Sequence, residues 1–333
     1  MSPSLAELGE AELLKRLARF APPGQLDDDT ACLVSDPRPL VVNTDVLVDG
    51  VHFSDATTPG ADAGWRAVAA NLSDLAASGA TSVDGITVGL VAPGDTPWHW
   101  VEDVYNGIGA ALQQFGGDLL GGDCSSGSER VLAITALGRL GPLRLLRHDA
   151  QPGDLLMTSG PHGLSRLGLG LLLNEVDPTS SGLSADLQHQ AIERHRRPIP
   201  RFDALNSLLN CKPTDLPWRA GGTDSSDGLL AAVQGLCRAS GCGAVLKRSE
   251  LPRPSGWPLG QPWDQWCLAG GEDFELVLAL PPLWAAAWQK EMPGCHCLGQ
   301  VTAEPNRILW EDGSPLPISG GFDHYQALSL IHI

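Results

Sequence analysis

The chain has 333 residues, of which 43% are hydrophobic and 18% are charged. This composition can bury a core and excludes a globally disordered chain, and the length suggests about two domains. The formal net charge of −17 disfavours binding to nucleic acid or to an anionic membrane, so we expect neither as a partner.

The beginning of the chain and its cysteines indicate a cytoplasmic protein. Residues 1–20 carry Glu7, Glu10 and Glu12 without an apolar core, so we expect no signal peptide, and no run is long enough to span a bilayer. The eight cysteines lack the paired spacing of a zinc site. We expect them to be free thiols, as is usual in a reducing cytoplasm.

Predicted strands and helices alternate in the first part of the chain. A capping box at Ser4 and Glu7 predicts a helix that runs to Phe20. Further predicted elements, in chain order, are a strand at 40–48, a helix at 62–77, a strand at 86–91, a helix at 98–115 and a strand at 131–140. We expect Asp62 to cap the second helix, and Gly121-Gly122-Asp123 to lie at a strand end and loop. This order predicts an N-terminal α/β domain over residues 1–143.

Residues 144–333 predict a second domain of mixed α/β type. Its predicted strands lie at 155–159, 221–224, 244–246, 274–280, 298–302 and 307–310, and its predicted helices at 164–173, 185–196, 201–209 and 227–239. Ser226 or Asp227 is expected to cap the last of these helices. The predicted fold class is therefore α/β, in the wider α+β sense, with two domains.

Aspartates recur in short clusters with Gly, Ser and Thr. The clusters lie at 27–30, 43–45, 71–74, 121–123 and 223–228. Like charges at roughly 4 Å repel by about 4 kcal/mol at an effective dielectric near 20, so clusters that converge in space need cations between them. Oxygen ligands without flanking His or Cys favour Mg²⁺ or Ca²⁺, and Mg²⁺ usually completes its octahedron with water and substrate phosphates. The clusters therefore indicate an enzyme that acts on a nucleotide.

Other motifs are absent or have a structural explanation. The sequence has no P-loop, no protein-kinase signature, no credible dinucleotide fingerprint and no Gly-x-Ser-x-Gly elbow. Cys295-His296-Cys297 has a strand period that places both cysteines on one face, and we expect it to be structural. A single Asp, such as Asp62 or Asp103, is most simply a helix cap or an Asx-turn. Several such clusters in one chain favour binding of metal ions instead.

Longer stretches around the clusters carry a family resemblance. They are Asp28-Asp29-Thr30-Ala31, the stretch from Asn43 to Phe53, the stretch from Asn71 to Ala80, Leu120-Gly121-Gly122-Asp123, Ser226-Asp227-Gly228-Leu229, the stretch from Gly270 to Leu276, and the stretch from Gly320 to Tyr325. In this order they resemble the thiamine-monophosphate kinase family, which has a two-domain aminoimidazole-ribonucleotide-synthetase-like fold. The resemblance extends from Asp27 to Tyr325.

The resemblance implies an activity, a cofactor and an assembly. The activity is transfer of the γ-phosphoryl group of ATP to thiamine monophosphate, which gives thiamine diphosphate and ADP in thiamine biosynthesis. Several Mg²⁺ ions would assist, and no covalent catalytic residue is implied. The N-terminal domain would pair with its symmetry mate in a homodimer, forming a barrel.

The resemblance also implies site residues. The implied metal ligands are Asp29, Thr44, Asp45, Asp74, Asp123, Asp224 and Asp227. The implied ATP contacts are Tyr105, Gly122, Asp123, Arg147 and Ser226. The implied substrate contacts are His52, Glu272 and Phe322.

These implied residues suit phosphoryl transfer, which requires positioning and charge neutralisation more than covalent chemistry. The acceptor is already a phosphate oxyanion, so we expect direct in-line transfer without a strong base or a phospho-enzyme. Arg147 would contact phosphate as a fixed positive charge. Phe322 would offer its face to a heteroaromatic ring, and Glu272 would balance a cationic thiazolium or bond the aminopyrimidine.

The sequence departs from the family pattern without removing an implied ligand. Asp27 stands where the family usually has Gly, and Ser225 where it has an aliphatic residue. One alternative is another ATP-using superfamily member, of the aminoimidazole ribonucleotide synthetase or selenophosphate synthetase type. The latter should carry a reactive Cys near its start, whereas no Cys precedes Cys32. The other alternative is a noncatalytic acidic cation-binding scaffold.

Overall fold

The structure, a computed structural model, describes residues 2–316. The helices are α1 (Leu5–Leu17), α2 (Gly60–Ala77), α3 (Trp98–Phe115), α4 (Leu164–Leu172), α5 (Ala185–Arg196), α6 (Phe202–Asn210), α7 (Leu229–Ser240), α8 (Trp263–Ala269) and α9 (Pro282–Glu291). The strands are β1 (Leu40–Val48), β2 (Ala80–Ala92), β3 (Asp118–Ser126), β4 (Val131–Leu140), β5 (Leu155–Thr158), β6 (Gly221–Asp224), β7 (Gly243–Leu246), β8 (Leu276–Leu280), β9 (His296–Thr302) and β10 (Ile308–Trp310).

The chain divides into two compact units. The first contains the residues up to Leu75 together with Ser82–Leu140, and the second contains Ala76–Thr81 and the described residues from Gly141 onward. Each unit has its own sheet, so the predicted mixed α/β class with two domains is confirmed. Within residues 2–316, no helix is both long and apolar enough to cross a bilayer.

The first unit has a four-stranded sheet in the order β1-β4-β2-β3. Strands β1 and β4 are antiparallel, and β2 and β3 are parallel. Helices α2 and α3 approach each other closely at two glycines that have no side chain. A Cβ on Gly64 would overlap the Val104 carbonyl, and a Cβ on Gly107 would overlap the Ala61 carbonyl. This packing fixes the position of α2, which carries one of the aspartate clusters.

The second unit has a six-stranded sheet in the order β10-β7-β9-β5-β8-β6. All five residues of β8 are buried, as expected for an inner strand covered on both faces. One core includes residues of α7, and another includes Trp284 and Trp288, which are fully buried on α9. Cys295 and Cys297 both pack in this second core, as their predicted strand period requires. The pairing of β5 and β6 with β8 thus fixes where the ends of these three strands lie relative to one another.

The predicted start of α1 is confirmed, although the α-helix ends at Leu17 and a 3-10 turn follows over Ala18–Phe20. Three further local predictions are wrong. The capping box is present, because the N–H of Ser4 donates to Glu7 at 2.8 Å and the N–H of Glu7 donates to the Ser4 hydroxyl at 3.3 Å. Helix α2 begins at Gly60, so Asp62 lies in its first turn and is not the cap. Gly121-Gly122-Asp123 lies inside the nine-residue strand β3 rather than at a strand end, because the strand runs on to Ser126.

The predicted cap of α7 is the third wrong prediction. The helix begins at Leu229 and its N-cap is Gly228, which has a φ of 105° and makes no side-chain cap. Glycine adopts this backbone conformation without the steric cost that other residues meet. The hydroxyl of Ser226 donates instead to Asp224 at 3.0 Å.

Candidate active site

In the first unit, β1 and α2 bring together the side chains of Asn43, Asn71 and Asp74 and the backbone N–H of Asp45. Alternation along β1 places Asn43 and Asp45 on one face, and Asn71 and Asp74 share a face of α2, as predicted. The Asn43 amide donates to Asn71 Oδ1 at 3.2 Å and to Asp74 Oδ2 at 3.1 Å. Asn71 Oδ1 also accepts the backbone N–H of Asp45 at 3.1 Å. Two of the aspartate clusters therefore form one group.

The Asn43 amide is oriented by these contacts. Its Nδ2 faces two oxygens, and the opposite orientation would place oxygen against oxygen. Its Oδ1 is buried and has no hydrogen-bond partner among the described residues. Amide and carboxylate oxygens are the ligands that Mg²⁺ prefers, so the unbonded Asn43 Oδ1 and the Asp74 carboxylate are both of the kind that magnesium binds. Asn43 was not among the predicted ligands, although its spacing of two from Asp45 was a signal for it.

Thr44 lies on the opposite face of β1 from Asp45. Its hydroxyl is 2.8 Å from the Thr135 hydroxyl across the β1–β4 pair, on the exposed side of the strand. One ion cannot take both the Thr44 and the Asp45 side chains, because successive side chains of a strand point to opposite faces. Metal binding by Thr44 therefore stays a prediction that requires its backbone oxygen or a separate ion.

Asp29 and Asp123 are both exposed. The segment before Asp29 is tied to β3, since the Gln25 side chain donates to the Leu120 carbonyl at 3.0 Å. In β3, a Cβ on Gly122 would overlap the Val88 carbonyl oxygen of β2. Close strand packing thus accounts for this glycine, and its predicted contact with ATP stays a prediction.

Two predicted ligand-contact residues of the first unit are partly or fully buried. His52 is half-buried, and its Nδ1 accepts the backbone N–H of Val48 at 3.1 Å, which places the ring proton on Nε2. Tyr105 is 4% exposed, and its ring centroid is 5.4 Å from that of Phe20. Burial raises the pKa of Tyr105 above its usual range. The contacts of His52 with substrate and of Tyr105 with ATP stay predictions.

In the second unit, the residues Asp224–Asp227, here called the acidic turn, begin at the last residue of β6. Asp224 is buried and accepts the Ser226 hydroxyl, whereas Asp227 is exposed. Arg147 reaches the same place, because its Nε donates to the Thr223 hydroxyl at 3.1 Å. The structure therefore places the exposed Arg147 next to the residue that precedes the acidic turn, an arrangement that suits a metal-bound phosphate.

The segment Gly270–Glu275, here called the Gly-Gly-Glu segment, lies beside the acidic turn. Glu272 is half-buried and its N–H donates to the Ser226 carbonyl at 2.7 Å. Glu275 is fully buried and pairs with Arg201 and with Arg194, the latter at 3.3 Å. This buried ion pair was not predicted, because its partners are far apart in sequence.

Asp273 has a structural position in the same segment. Its carboxylate is buried and accepts the N–H groups of Gly163 at 2.6 Å and Ser165 at 3.0 Å, at the beginning of α4. Burial raises the pKa of Asp273 to about 7, against the lowering effect of these two hydrogen bonds. These contacts commit Asp273, which is not among the predicted metal ligands, to the structure of the segment. The predicted substrate contact Phe322 lies outside the described residues.

Within residues 2–316, no three His, Cys, Asp or Glu side chains lie together in a way that could hold one metal ion. Magnesium in proteins is commonly bound by one or two carboxylates, with water and substrate phosphates as its other ligands. The predicted metal ligands therefore stay predictions, and the group around Asn43 and Asp74 is the best-formed donor set.

Known proteins match both the fold and the whole length. Residues 27–140 match the family described as AIR synthase related protein, N-terminal domain. The solved structure of AaThiL complexed with AMPPCP and TMP has a TM-score of 0.74 and 26% identity, over 98% of this chain and 100% of that chain. The fold therefore defines an AIR-synthase-like protein.

Curated relatives narrow this class. The thiamine-monophosphate kinase of Prochlorococcus marinus is 53% identical over 96% of this chain and 97% of its own length. That of Synechococcus elongatus is 46% identical over 97% of this chain and 98% of its own length. The chain belongs to the thiamine-monophosphate kinase family, which confirms the resemblance found in the sequence.

Proposed function

We propose that this chain transfers the γ-phosphoryl group of ATP to thiamine monophosphate, directly and in line, with the help of Mg²⁺. The observation that carries the proposal is the donor group of Asn43, Asp45 and Asp74 in a chain whose 53%-identical relative is a thiamine-monophosphate kinase. Likeness over nearly the full length disfavours the alternatives of a noncatalytic scaffold or a different superfamily activity.

In the first unit, Asp45 and Asp74 would hold magnesium, and Asn43 Oδ1 would add a neutral oxygen. The exposed carboxylates of Asp29 and Asp123 would bind magnesium that is attached to phosphate; strand β3, which carries Asp123, lies at the opposite edge of the sheet from β1. Bound Mg²⁺ supplies positive charge that offsets repulsion between two phosphate-bearing molecules. The protein residues contribute by fixing the oxygens through the hydrogen bonds of Asn71, so that little reorganisation is needed when the metal binds.

In the second unit, Arg147 and Ser226 contact ATP, and Asp224 and Asp227 bind its metal. The Nε of Arg147 is bonded to the Thr223 hydroxyl, and the side chain is exposed. The planar guanidinium can therefore donate its other N–H groups to phosphate. These residues would assist phosphoryl transfer by positioning ATP and its metal and by balancing charge, without forming a covalent bond.

For the acceptor, we propose contacts from both Glu272 and His52. Glu272 is half-buried, and its backbone is fixed by the bond to Ser226. With its proton on Nε2, His52 is a hydrogen-bond donor. Glu272 would balance the cationic ring of the acceptor, and the Nε2–H of His52 would donate to its phosphate.

We also propose a homodimer in the cytoplasm. Strand β1 is an edge strand, and its outward residues Leu40, Val42 and Val46 are 43%, 56% and 48% exposed. A second copy of the chain would cover this apolar strip. Eight free cysteines suit a reducing compartment, where ATP is also available.

An assay with ATP, Mg²⁺ and thiamine monophosphate tests the activity, with the products separated by chromatography. We expect ADP and thiamine diphosphate in equal amounts, and loss of both when the metal is chelated. Thiamine should be a poor acceptor, because in-line transfer here uses a phosphate oxyanion. Formation of ADP without thiamine diphosphate, or efficient phosphorylation of thiamine, would contradict the proposal.

A further inference from the structure

Two hydrogen bonds join the acidic turn to the Gly-Gly-Glu segment. The N–H of Glu272 donates to the Ser226 carbonyl at 2.7 Å, and the N–H of Glu275 donates to the Ser225 hydroxyl at 3.0 Å. The first bond is between backbone groups and is independent of side chains. The second depends on the Ser225 side chain, which a residue without a hydroxyl would not supply.

The Ser225–Glu275 bond is rigid at both ends. Ser225 and Glu275 are both 0% exposed. The Glu275 carboxylate is held by Arg201 and Arg194, and it also accepts the Ser159 hydroxyl. These contacts hold the Glu275 side chain, and β8 begins at the next residue, so the backbone N–H of Glu275 is restrained where it meets the Ser225 hydroxyl.

The Gly-Gly-Glu segment needs such contacts to keep its conformation. Glu272 has a φ of 58° and Phe274 a φ of 54°, in the left-handed region that is costly for a bulky side chain. Residues stay in this region only where surrounding contacts over-determine them. Asp273 supplies one contact through the beginning of α4, and Ser225 supplies another at the other end.

We propose that Ser225 is a positioning residue, whose hydroxyl holds the acidic turn and the Gly-Gly-Glu segment in one arrangement. The inference rests on the proposed function, since Ser226 and Glu272 contact the two substrates there. Ser225 touches neither substrate. It acts through its neighbours Asp224 and Ser226 on the nucleotide side and through Glu272 on the acceptor side, so that both groups of ligand contacts are fixed together.

Three substitutions separate the hydroxyl from the volume of the side chain. Ser225→Ala removes the acceptor of the Glu275 N–H. Ser225→Thr keeps the hydroxyl, and Ser225→Val has nearly the shape of Thr without it. For each variant, kcat and the KM values for ATP and thiamine monophosphate are measured with saturating Mg²⁺, and folding is checked by thermal unfolding.

We expect Ser225→Ala to lower kcat about tenfold or more, because small misplacements of substrate-positioning groups have large effects on rate. Both KM values should rise, and Ser225→Thr should retain more activity than Ser225→Val. A folded Ser225→Ala enzyme with both kcat/KM values within about twofold of wild type overturns the proposal. A change confined to the KM for ATP also overturns it, since the two sides would then not be held together.

Failure of the proposed function has a different signature. A wild-type chain that makes no thiamine diphosphate refutes the activity, whatever Ser225 does. The Ser225–Glu275 link is then tested by binding of a nonhydrolysable ATP analogue with Mg²⁺. Weaker binding to Ser225→Ala and Ser225→Val, with recovery in Ser225→Thr, supports the link, and unchanged binding refutes it. If Ser225→Ala does not fold, the Thr and Val pair decides by the same criteria.

Discussion

At the residue scale, burial decides what each carboxylate of the Gly-Gly-Glu segment does. Glu272 is half-buried and contacts the acceptor in the proposed function. Asp273 bonds the beginning of α4, and Glu275 pairs with Arg201 in the core. A buried charge without a partner is costly, so the two inner carboxylates are committed to structure. Three acidic residues within four positions thus have different tasks.

Asp74 provides a test of the first-unit donor group. We expect Asp74→Asn to lower kcat/KM by about 100-fold or more, because the amide keeps the shape but loses the charge that holds Mg²⁺. Asp62→Asn on the same helix is the matched control, since Asp62 lies in the first turn, three helical turns away from the group. The assay is steady-state kinetics across a Mg²⁺ titration. Equal effects of the two substitutions would refute magnesium binding by Asp74.

Arg201 has two carboxylate partners that differ in burial, and this difference predicts stability. Glu275 is 0% exposed and Asp203 is 61% exposed. We expect Glu275→Gln to lower the free energy of unfolding by about 3–5 kcal/mol, because it removes the buried negative charge that faces both Arg201 and Arg194. Asp203→Asn should cost less than about 1 kcal/mol, as for a surface pair. Urea denaturation measures both, and similar losses would show that burial does not govern this pair.

His162 should make stability depend on pH. It is 1% exposed, and burial lowers its pKa to about 3 although it hydrogen-bonds the Gly160 carbonyl. Below its unfolded pKa of about 6.5, the unfolded chain takes up a proton that the folded chain does not. The stability difference between wild type and His162→Gln should therefore be constant above pH 7. Between pH 8 and pH 5, the free energy of unfolding of wild type should fall by about 2 kcal/mol relative to that of His162→Gln. A pH-independent difference in denaturant unfolding would contradict this.

At the element scale, the two glycines inside β3 have different environments. A Cβ on Gly122 would overlap the Val88 carbonyl, whereas nothing lies within 4 Å of a Cβ on Gly121. We expect Gly122→Ala to destabilise the protein by about 1–3 kcal/mol through overpacking, and Gly121→Ala to have little effect. Denaturant unfolding of the two variants measures this. Equal stability losses would mean that a general loss of glycine flexibility, and not strand packing, is responsible.

Elements with a clear period or cap could be predicted from the sequence. The bounds of β1, α3, β4 and α5 agree with those predicted. Helices α8 and α9 were missed for physical reasons. Helix α8 has only seven residues, too few for a helical period to be recognised, and α9 begins after Pro281 with another proline at its first position. Two prolines indicate a break, although proline is well suited to the first turn of a helix.

For the site, the sequence could predict local relations but not distant ones. The shared face of Asn71 and Asp74 follows from helical spacing, and the opposite faces of Thr44 and Asp45 follow from the strand period. The bond between Ser225 and Glu275 joins residues 50 positions apart. Such a contact depends on how β6 and β8 pair, which no local pattern of residues specifies.

At the scale of the whole molecule, the first sheet has one edge with an apolar strip. Every second residue of β1 points to its exposed side. The apolar residues there are Leu40, Val42 and Val46, Thr44 lies among them, and none of the four is charged. An uncharged strip in a chain of net charge −17 is where a second copy can approach with least repulsion. Edge strands with exposed apolar residues are otherwise prone to nonspecific pairing.

The strip therefore predicts the assembly. We expect wild type to sediment as a dimer and Val42→Glu to sediment as a monomer, because two copies would bury like charges against each other across the strip. Leu283→Glu is the matched control, since Leu283 is 69% exposed on α9 in the second unit. It should leave the dimer intact. A monomeric wild type, or a Val42→Glu chain that remains dimeric, would leave the exposed face of β1 without the proposed partner. Loss of the dimer in both variants would show that added charge alone causes dissociation.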